Sequence, residues 1–354
     1  MPVNIHLIRT HYPHWGAFSG IHQFARFIDR DRYKMMMRLV SDSDEDFPVR
    51  NDTVRRALRY AVQSRGMGWY KLSDMVAEFD AFRQSRRRKA DIVHYLDGEH
   101  SAQFLPGVLK MFRRDGPKLV GTYHQPPDLL ESLTIRDVIS RLDCVTVQCP
   151  EQAAYFKEFL PADKVRLILH GIDIDFFRPG DGPREKGKFR CITVGHHLRD
   201  FNVLREVAEN LRCLSEIDFH VVSSQATELA GLDNVTVCSG IDDTALLKLY
   251  QESDALFLPL VQSTANNSLL EAIACGLPVV STDLPSVKAY LPGKEAILIK
   301  DNDPEHFTEA ILHLVRNRDD RIRMGKEARK RAEELDWRKI APEYETIYSG
   351  LAES

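Results

Sequence analysis

Short apolar runs alternate with helix-length segments along almost the whole chain. A run such as ALFL at residues 255–258 is too short for a helix and lacks polar alternation, which is typical of a strand buried on both faces. Because strands that alternate with helices build β-α-β units, the pattern predicts an α/β fold with parallel sheets. The predicted strands are residues 3–8, 33–40, 91–95, 118–123, 143–148, 165–169, 189–194, 217–222, 234–238, 255–258, 278–282 and 296–299.

The strands fall into two series, separated by the sequence RPGDGPREKGK at residues 178–188. This stretch is rich in Pro, Gly and charge, as linkers are, and a chain of 354 residues is long enough for two domains. After residue 299 only helical patterns remain, at 303–316, 319–334 and 337–351. We therefore predict a first α/β domain at residues 1–177, a linker at 178–188 and a second α/β domain at 189–336.

Charge and hydropathy argue against several classes of protein. The chain has 48 Lys and Arg against 52 Asp and Glu, and a net charge of −4 is unlike that of a dedicated nucleic-acid-binding protein. No apolar run approaches the ~20 residues that span a bilayer. The first residues, MPVNIHLIRT, have the pattern of a strand rather than of a signal peptide. We expect a cytoplasmic protein that binds no nucleic acid.

Basic residues are concentrated near the start of the chain. Residues 1–89 hold 17 basic and 10 acidic side chains, a net of +7, whereas the remainder holds 31 and 42, a net of −11. Helical spacings within residues 52–88 predict an insertion of helices. Its charges either form a solvated face or meet an anionic lipid or acceptor, and we expect Leu58, Met67, Trp69 and Tyr70 to be available to a headgroup layer.

Ligands of open α/β sheets bind beyond the carboxyl ends of the strands, so the loops after the strands are informative. In the loop at residues 10–20, Gly16, Ser19 and Gly20 allow close backbone approach before a helix predicted at 21–28. The loop lacks the G-x-G-x-x-G pattern, which argues against a nicotinamide cofactor.

The first strand of the second series ends in GHHLRDFN at residues 195–202. Gly195 ends the strand, and Asp200 or Asn202 is suited to cap the following helix. Arg199 has two interpretations. Its guanidinium either pairs with a phosphate or is exposed and bonded to the neighbouring Asp200.

The most informative loop follows the predicted strand at residues 255–258. A helix is predicted to begin near Asn266 and to end at Gly276. The polar residues 263–268 and the helix N-terminus suit a phosphate-bearing ligand. Glu271, one turn into the helix, either stabilises the helix dipole or accepts hydrogen bonds from the two hydroxyls of a ribose.

Several motifs resemble those of the retaining glycosyltransferases of family four. The most specific is LLEAIACGLPVVSTD at residues 269–283, which resembles the nucleotide-binding segment of that family. The sequence ILHGIDIDFFRP at 168–179 resembles the family's link between domains. Weaker matches are TVQCP at 146–150, LVGTYH at 119–124, and LDW at 335–337 followed by Tyr344 and Tyr348.

The resemblance implies the GT-B fold, in which two Rossmann-like parallel-sheet domains face each other across a cleft. It places a C-terminal helix, residues 337–354, back on the first domain. It implies a metal-independent, retaining transfer from a UDP- or GDP-linked sugar on the second domain to a glycan or lipid-linked acceptor on the first, with no cofactor. By this analogy His124 and Arg199 are catalytic, and the donor-binding residues are Gly20, Gly195, His196, Ser263, Thr264, Asn266, Asn267, Ser268, Leu269 and Glu271.

The sequence departs from the family pattern at three places. Ser263 stands where the family has the first Glu of its E-x7-E motif, which contacts the sugar. The family's usual Arg and Lys after the preceding glycine are displaced, so His196 and Arg199 are the substitutes. Lys288 adds a positive charge where the family has Gly-Gly-x-x-Glu.

A glycosyltransferase of glycan or glycolipid assembly is therefore the leading hypothesis, with peripheral contact to the inner face of an anionic membrane as a further expectation. A catalytically degenerate GT-B protein that only binds nucleotide sugars is the first alternative, favoured by Ser263. A nucleotide-sugar epimerase or hydrolase on the same fold is the second.

Overall fold

The chain was analysed as a computed structural model. It describes residues 2–12, 16–64, 67–87, 89–111, 116–181, 187–229 and 231–353. Residues 13–15 of the first predicted ligand loop and residues 182–186 of the predicted linker lie outside the described residues.

The described strands form two six-stranded sheets in which all neighbouring strands are parallel. The predicted α/β fold and each of the predicted strands are confirmed, with boundaries that differ by at most three residues. The strands are β1 Val3–His11, β2 Tyr33–Ser41, β3 Ile92–Tyr95, β4 Lys118–Thr122, β5 Cys144–Val147, β6 Val165–Leu167, β7 Phe189–Val194, β8 Ile217–Val222, β9 Val235–Cys238, β10 Ala255–Leu258, β11 Val279–Thr282 and β12 Ala296–Ile299.

Helices connect the strands as the β-α-β pattern requires. They are α1 Asp52–Gln63, α2 Leu72–Arg86, α3 Gly98–Ser101, α4 Leu105–Met111, α5 Pro127–Leu133, α6 Arg136–Ile139, α7 Pro150–Lys157, α8 Phe201–Asn210, α9 Asp243–Gln251, α10 Asn267–Ala274, α11 Pro285–Tyr290, α12 Pro304–Arg316, α13 Arg318–Glu334 and α14 Trp337–Glu353. The α-helix predicted at 21–28 is instead a shorter 3-10 helix, Ile21–Arg26, in which Phe27 N bonds Phe24 O. Further 3-10 turns are Ala162–Lys164, Thr227–Leu229 and Lys300–Asn302.

The structure divides into two compact units. The first unit contains residues 1–15, 21–169 and 338–354, and the second contains residues 16–20 and 170–337. Each unit has its own apolar core between sheet and helices. The first unit thus includes nearly all of α14, and the second includes part of the loop that follows β1.

Both sheets are doubly wound, because each contains one point at which the chain reverses the direction in which strands are added. The first sheet has the order β2-β1-β3-β4-β5-β6, so its switch point lies between β1 and β3. The second has the order β12-β11-β10-β7-β8-β9, with its switch point between β7 and β10. The carboxyl edges at these two points are where ligands of such folds bind.

Hydrogen bonds and ring packing attach α14 to the first sheet. Tyr348 at its C-terminal end bonds Nδ1 of the buried His94 at 2.7 Å. Tyr33 bonds Ser349 at 2.6 Å, and Tyr344 stacks on Phe24 with 4.3 Å between ring centroids. Because these rings are fully or almost fully buried, the last helix is an integral part of the core of the first unit.

In the second unit, Gly171 and Trp337 explain why two of the family-like motifs occur together. A Cβ atom at Gly171 would lie 2.5 Å from the indole ring of Trp337, so only glycine fits there. The backbone of Ile172 bonds that of Leu335 at 2.9 Å and that of Trp337 at 3.3 Å. The segment at 168–179 and the segment at 335–337 are therefore one packed motif.

The predicted helical insertion is confirmed as α1 and α2, but part of its expected surface is buried. Met67 is 1% exposed and Tyr70 is fully buried, and both pack in a small core with Leu72. The expectation that Met67 and Tyr70 reach a lipid headgroup layer is therefore wrong, because the protein already covers them. Leu58 remains exposed and Trp69 is partly exposed.

Candidate active site

The predicted donor residues of the second unit meet at its switch point. The strand β10 lies between β11 and β7, so the loops after β7 and β10 are neighbours at the same edge. A β-bridge between Arg199 and Leu260 joins these two loops. The two loops therefore lie together at one edge of the sheet and form one candidate site.

The loop after β7 turns sharply at Gly195 and buries Arg199 against it. Gly195 has a φ of 87°, in the left-handed region that favours glycine. Nη2 of Arg199 donates to Val194 O at 2.9 Å, to Ser268 Oγ at 2.9 Å and to Asn266 Oδ1 at 3.2 Å. Burial lowers the pKa of Arg199 to about 10, so the guanidinium remains charged at neutral pH.

The contacts of Arg199 correct one of its two interpretations. The alternative of an exposed arginine bonded to Asp200 is wrong. Asp200 instead caps α8, with Oδ1 accepting from Val203 N at 3.2 Å, and its Oδ2 accepts from Asn302 at 3.0 Å. The charge of Arg199 lies at the N-terminal end of α10, through its bonds to Asn266 and Ser268.

The helix α10 begins near Asn266 as predicted, and Asn266 is its N-cap. Its Oδ1 accepts from Leu269 N at 3.3 Å and from Ser268 Oγ at 2.7 Å. Since the Leu269 amide is used by the cap and its side chain is buried in the core, the amides that remain for a phosphate are those of Asn267 and Ser268. Asn267 is exposed, and Gly276 ends the helix with a φ of 77°.

The other predicted donor residues lie beside this helix end. Thr264 is buried, and Ser263 is partly buried with its hydroxyl donating to Thr264 O at 3.2 Å. His196 is partly exposed in the loop after β7. Lys288 is paired with Asp283 at 2.6 Å, so much of its positive charge is already compensated.

Glu271 is the buried carboxylate of the site, with 4% of the residue exposed. Oε2 accepts from the hydroxyl of Tyr250 at 2.8 Å, and Oε1 accepts from the hydroxyl of Ser19. Burial raises the pKa of Glu271, although both hydroxyls oppose the shift by stabilising the carboxylate. Each oxygen has a further lone pair, so the carboxylate can accept additional hydrogen bonds.

Ser19 belongs to a short segment, residues 16–20, that is part of the second unit. The N–H of Ala17 donates to Asp243 Oδ2 at 2.7 Å, and Phe18 stacks on Phe176 with 3.7 Å between ring centroids and an interplanar angle of 2°. Gly20 follows with a φ of 105°. The predicted close approach of this loop to the donor residues takes the form of a direct bond from Ser19 to Glu271.

Sequence reasoning missed Tyr250 and Asp243, which anchor Glu271 and the 16–20 segment. Both lie on α9, a helix between two strands that carries no recognisable motif. Tyr250 is fully buried and reads in the sequence as an ordinary core aromatic. A charged residue at the start of a helix, such as Asp243, normally indicates only a favourable dipole interaction.

His124 lies in the first unit, directly after β4. Its Nε2 bonds the carbonyl of Leu96, and its Nδ1 lies 3.1 Å from Gln148 Oε1. Burial alone would lower the pKa of His124, but the carboxylates of Glu99 and Asp97 outweigh it and raise the pKa. Asp97 Oδ1 is 3.8 Å from Nε2, so the site favours an imidazolium.

Two doubly wound parallel sheets, each with its own core and with α14 returned to the first, define the class of protein as the GT-B fold. The family model described as Glycosyltransferase Family 4 matches residues 5–176, and that described as Glycosyl transferases group 1 matches residues 180–317. The chain belongs to the GT-B glycosyltransferases that resemble family four.

Curated relatives carry one recurring description. The chain is similar to the D-inositol 3-phosphate glycosyltransferase of Corynebacterium diphtheriae, with 24% identity over 61% of this chain. It is 30% identical to the enzyme of the same description from Corynebacterium urealyticum, also over 61% of this chain. The matched part is 58% of the length of each of these relatives.

Solved structures of similar fold cover almost the whole chain. The sucrose-phosphate synthase of Thermosynechococcus elongatus has a TM-score of 0.72 at 16% identity and covers 99% of both chains. The HepE protein of Anabaena in complex with UDP-glucose has a TM-score of 0.71 at 12% identity and covers 98% of this chain and 99% of its own. At these identities the likeness shows the fold alone.

Two kinds of feature are absent from the described part of the chain. Within the described ranges, no helix combines the length and the apolar character needed to cross a membrane. Across the same ranges, no group of three or more His, Cys, Asp or Glu side chains is placed to hold a metal ion.

Proposed function

We propose that the protein transfers a sugar from a nucleotide-sugar donor to a hydroxyl group of an acceptor, with retention of the anomeric configuration and without a metal ion. The family to which the chain belongs supports this reaction. The donor is assigned to the switch point between β7 and β10, and the acceptor to the first unit. The proposal requires the bond from the sugar to the diphosphate to break and a bond to the acceptor oxygen to form.

The observation that carries the proposal is Glu271. It lies in the segment that most resembles the family and is buried at the switch point. A buried carboxylate is a strong acceptor for hydroxyl groups, because charge-assisted hydrogen bonds are stronger than neutral ones. We assign Glu271 to the ribose hydroxyls of the nucleotide, which would share or replace the hydroxyl of Ser19.

The departing diphosphate gains negative charge, which must be stabilised in the transition state. The N-terminal amides of α10 at Asn267 and Ser268 point to this role, since the helix dipole favours an anion there. Arg199 contributes in two ways. Its charge lies at this helix end, and its bonds to Asn266 and Ser268 fix the geometry of the loop.

His124 is the residue we assign to the transferred sugar, by resemblance to the family. Its raised pKa favours the imidazolium form, which carries a positive charge and cannot act as a base. Its ring is fixed through Leu96 and Gln148, which limits the orientations it can adopt. No carboxylate nucleophile is assigned, so the proposal includes no covalent sugar–protein intermediate.

We propose UDP as the nucleotide. The HepE structure of similar fold was solved with UDP-glucose, and another structure of the same protein was solved with UDP. Ser263 stands where the family has a glutamate that contacts the sugar, and the serine side chain is shorter than that of glutamate. We therefore expect the sugar preference to depend on position 263.

A glycan or lipid-linked molecule is the proposed acceptor, and we keep contact with an anionic membrane as part of the proposal. The support is the exposed surface of α1, on which Val54 is 43% and Leu58 is 36% exposed and Arg56 is also exposed. Arg59 contributes less charge to this surface, because it is paired with the carboxylate of Asp44. Arg55 donates to the backbone carbonyl of the same residue.

A panel of UDP- and GDP-sugars tests the function when each is incubated with the full chain, with and without a mixture of glycoside acceptors. Transfer that requires an acceptor supports the proposal. Consumption of donor with no acceptor present would instead identify a hydrolase or epimerase. Calorimetric binding without any turnover would identify the degenerate binding protein that Ser263 suggests.

A further inference from the structure

The switch point of the first sheet carries a second cluster of polar and aromatic residues. It lies between β1 and β3, where a doubly wound fold opens a crevice for a ligand. Tyr12 directly follows β1, and Asp97, Glu99 and His100 follow β3. Trp69 reaches the same place from the segment that precedes α2. None of these residues belongs to the donor-binding motifs of the second unit.

Three aromatic rings form one partly exposed wall. The rings of Trp69 and His100 are stacked, with 4.8 Å between centroids and an interplanar angle of 27°. Tyr12 meets His100 edge-on at 6.1 Å, and its hydroxyl lies 3.4 Å from His100 Nε2. Each ring is partly exposed, so the wall presents an apolar face with polar edges. Such a face matches the C–H surface of a pyranose ring.

A buried carboxylate at the same place has an unused acceptor atom. Glu99 is 1% exposed, and its Oε1 accepts from the N–H of His124 at 3.0 Å. Its Oε2 has no hydrogen-bond partner among the described residues. The negative charges of Asp97, Asp74 and Glu99 all help to raise the pKa of the Tyr12 hydroxyl, so these carboxylates lie near the aromatic wall.

An unsatisfied buried carboxylate oxygen is costly, and a protein keeps one where a partner supplies the missing bond. Burial raises the pKa of Glu99 to about 7, and the charge of His124 and backbone N–H groups offset only part of this shift. The nearby cation Lys71 is already paired with Asp74 at 3.3 Å. A hydroxyl group fits Oε2 of Glu99 better than an anion does, because a hydroxyl can donate the missing hydrogen bond.

We propose that the acceptor binds here as a neutral cyclic polyol, with its ring on Trp69 and one hydroxyl donating to Glu99 Oε2. The inference rests on the proposed function, since it names the acceptor class of the same reaction. It differs from the anionic acceptor expected from the basic charge of the insertion. The recognition elements are an aromatic face and a carboxylate rather than the arginines.

Saturation-transfer difference NMR on the full chain with UDP present tests this assignment. The probes are the methyl pyranosides of glucose, galactose, mannose and N-acetylglucosamine. We expect at least one to bind the wild type, and Trp69→Ala to weaken it about tenfold, as the loss of an aromatic contact of about 1.4 kcal/mol predicts. Trp69→Phe should restore affinity to within about threefold, and Glu99→Gln should weaken it about tenfold.

Phe79→Ala is the matched control, because Phe79 is an aromatic residue on α2 that is 64% exposed. It should leave glycoside binding unchanged. If no glycoside binds the wild type, or if binding survives both Trp69→Ala and Glu99→Gln, the assignment is overturned. Should Trp69→Ala not fold, as judged by its thermal melt, Glu99→Gln alone decides.

Calorimetric titration with UDP separates this inference from the proposed function. The same four variants should bind UDP like the wild type, since none lies in the second unit. If the wild type does not bind UDP, the donor assignment is contradicted. The glycoside result would still decide the assignment of Trp69 and Glu99.

Discussion

Each of the two switch points contains one buried glutamate, and the two are satisfied differently. Both oxygens of Glu271 accept hydroxyl groups of the protein, from Ser19 and Tyr250. Only one oxygen of Glu99 is bonded, to a backbone N–H of His124. Both residues are less than 5% exposed, so the difference lies in their partners and not in their burial.

This difference separates a preorganised site from an incomplete one. A carboxylate held by two hydroxyls has a fixed orientation, and a ligand that binds it replaces or adds to bonds of the same kind. A carboxylate with an unused oxygen gains a bond that the protein does not supply. The first arrangement suits an invariant group such as a ribose, and the second suits the group that distinguishes one acceptor from another.

The largest expected effect tests whether the two glutamates have separate roles. Glu271→Gln removes the charge that strengthens the bonds to hydroxyls, so we expect UDP to bind about 10- to 100-fold more weakly, the range for charge-assisted hydrogen bonds. Glu99→Gln should leave UDP affinity unchanged. Isothermal titration calorimetry with UDP measures both.

Glu252→Gln is the control for the first of these changes, since Glu252 follows α9 at a partly exposed position. It should bind UDP like the wild type. Equal losses in Glu271→Gln and Glu99→Gln would remove the distinction between the two switch points, and an unchanged affinity in Glu271→Gln would remove the ribose assignment.

The second prediction concerns the pH dependence of stability in the first unit. Glu78 is buried, and burial raises its pKa from 4.5 to about 7 despite bonds from Tyr70 and from three backbone N–H groups. The folded state therefore binds a proton more tightly than the unfolded state. The contribution of Glu78 to the stability of the folded state is complete below about pH 4.5 and is lost as the pH rises through 7.

The melting temperature should accordingly fall between pH 5.5 and pH 8, and Glu78→Gln should reduce this fall by about 3 °C or more, because each kcal/mol is worth roughly 2–4 °C in a unit of this size. Differential scanning calorimetry measures both proteins. Glu131→Gln, at an exposed site of the same unit, should keep the wild-type slope. If Glu78→Gln leaves the change of melting temperature with pH unaltered, another ionisable group of this unit causes the fall.

The third prediction distinguishes a structural from a purely catalytic Arg199. A lysine cannot bond Val194, Asn266 and Ser268 together, because it lacks the planar fork of the guanidinium. Arg199→Lys should weaken UDP about fivefold and lower the melting temperature by about 2–4 °C. If kcat/KM falls while melting is unchanged, Arg199 acts on the diphosphate alone.

Much of the fold was predictable because its signal is local. The run at β10 and the cap at Asn266 are specified by neighbouring residues, and the resulting strand and helix match the structure. The same holds for Asp200, which caps α8 as its position indicates. Loop chemistry and hydrophobic periodicity require no knowledge of distant contacts.

The partners of the site residues were not predictable, because they come from distant parts of the chain. Ser19 lies 252 positions from Glu271, and Tyr250 lies 21 positions away on a helix without a motif. The wall of Trp69 and His100 likewise joins an insertion to the end of β3. A single sequence contains no signal for such pairs, which arise only when the sheets assemble.

The smallest expected effect extends the comparison to the surfaces of the two units. Of the twelve large hydrophobic side chains found exposed among the described residues, eight lie between Met36 and Phe79 in the first unit. We expect weak binding to vesicles of phosphatidylcholine and phosphatidylserine, measured by co-sedimentation, which declines as salt increases. Arg56→Ala should weaken it about fivefold, since a basic residue near an anionic surface contributes about 1 kcal/mol.

Lys248→Ala is the control; it removes an exposed charge on α9 of the second unit and should have no effect. Equal loss in both variants would indicate a response to net charge alone, and failure to sediment with either anionic or neutral vesicles at low salt would refute the membrane contact.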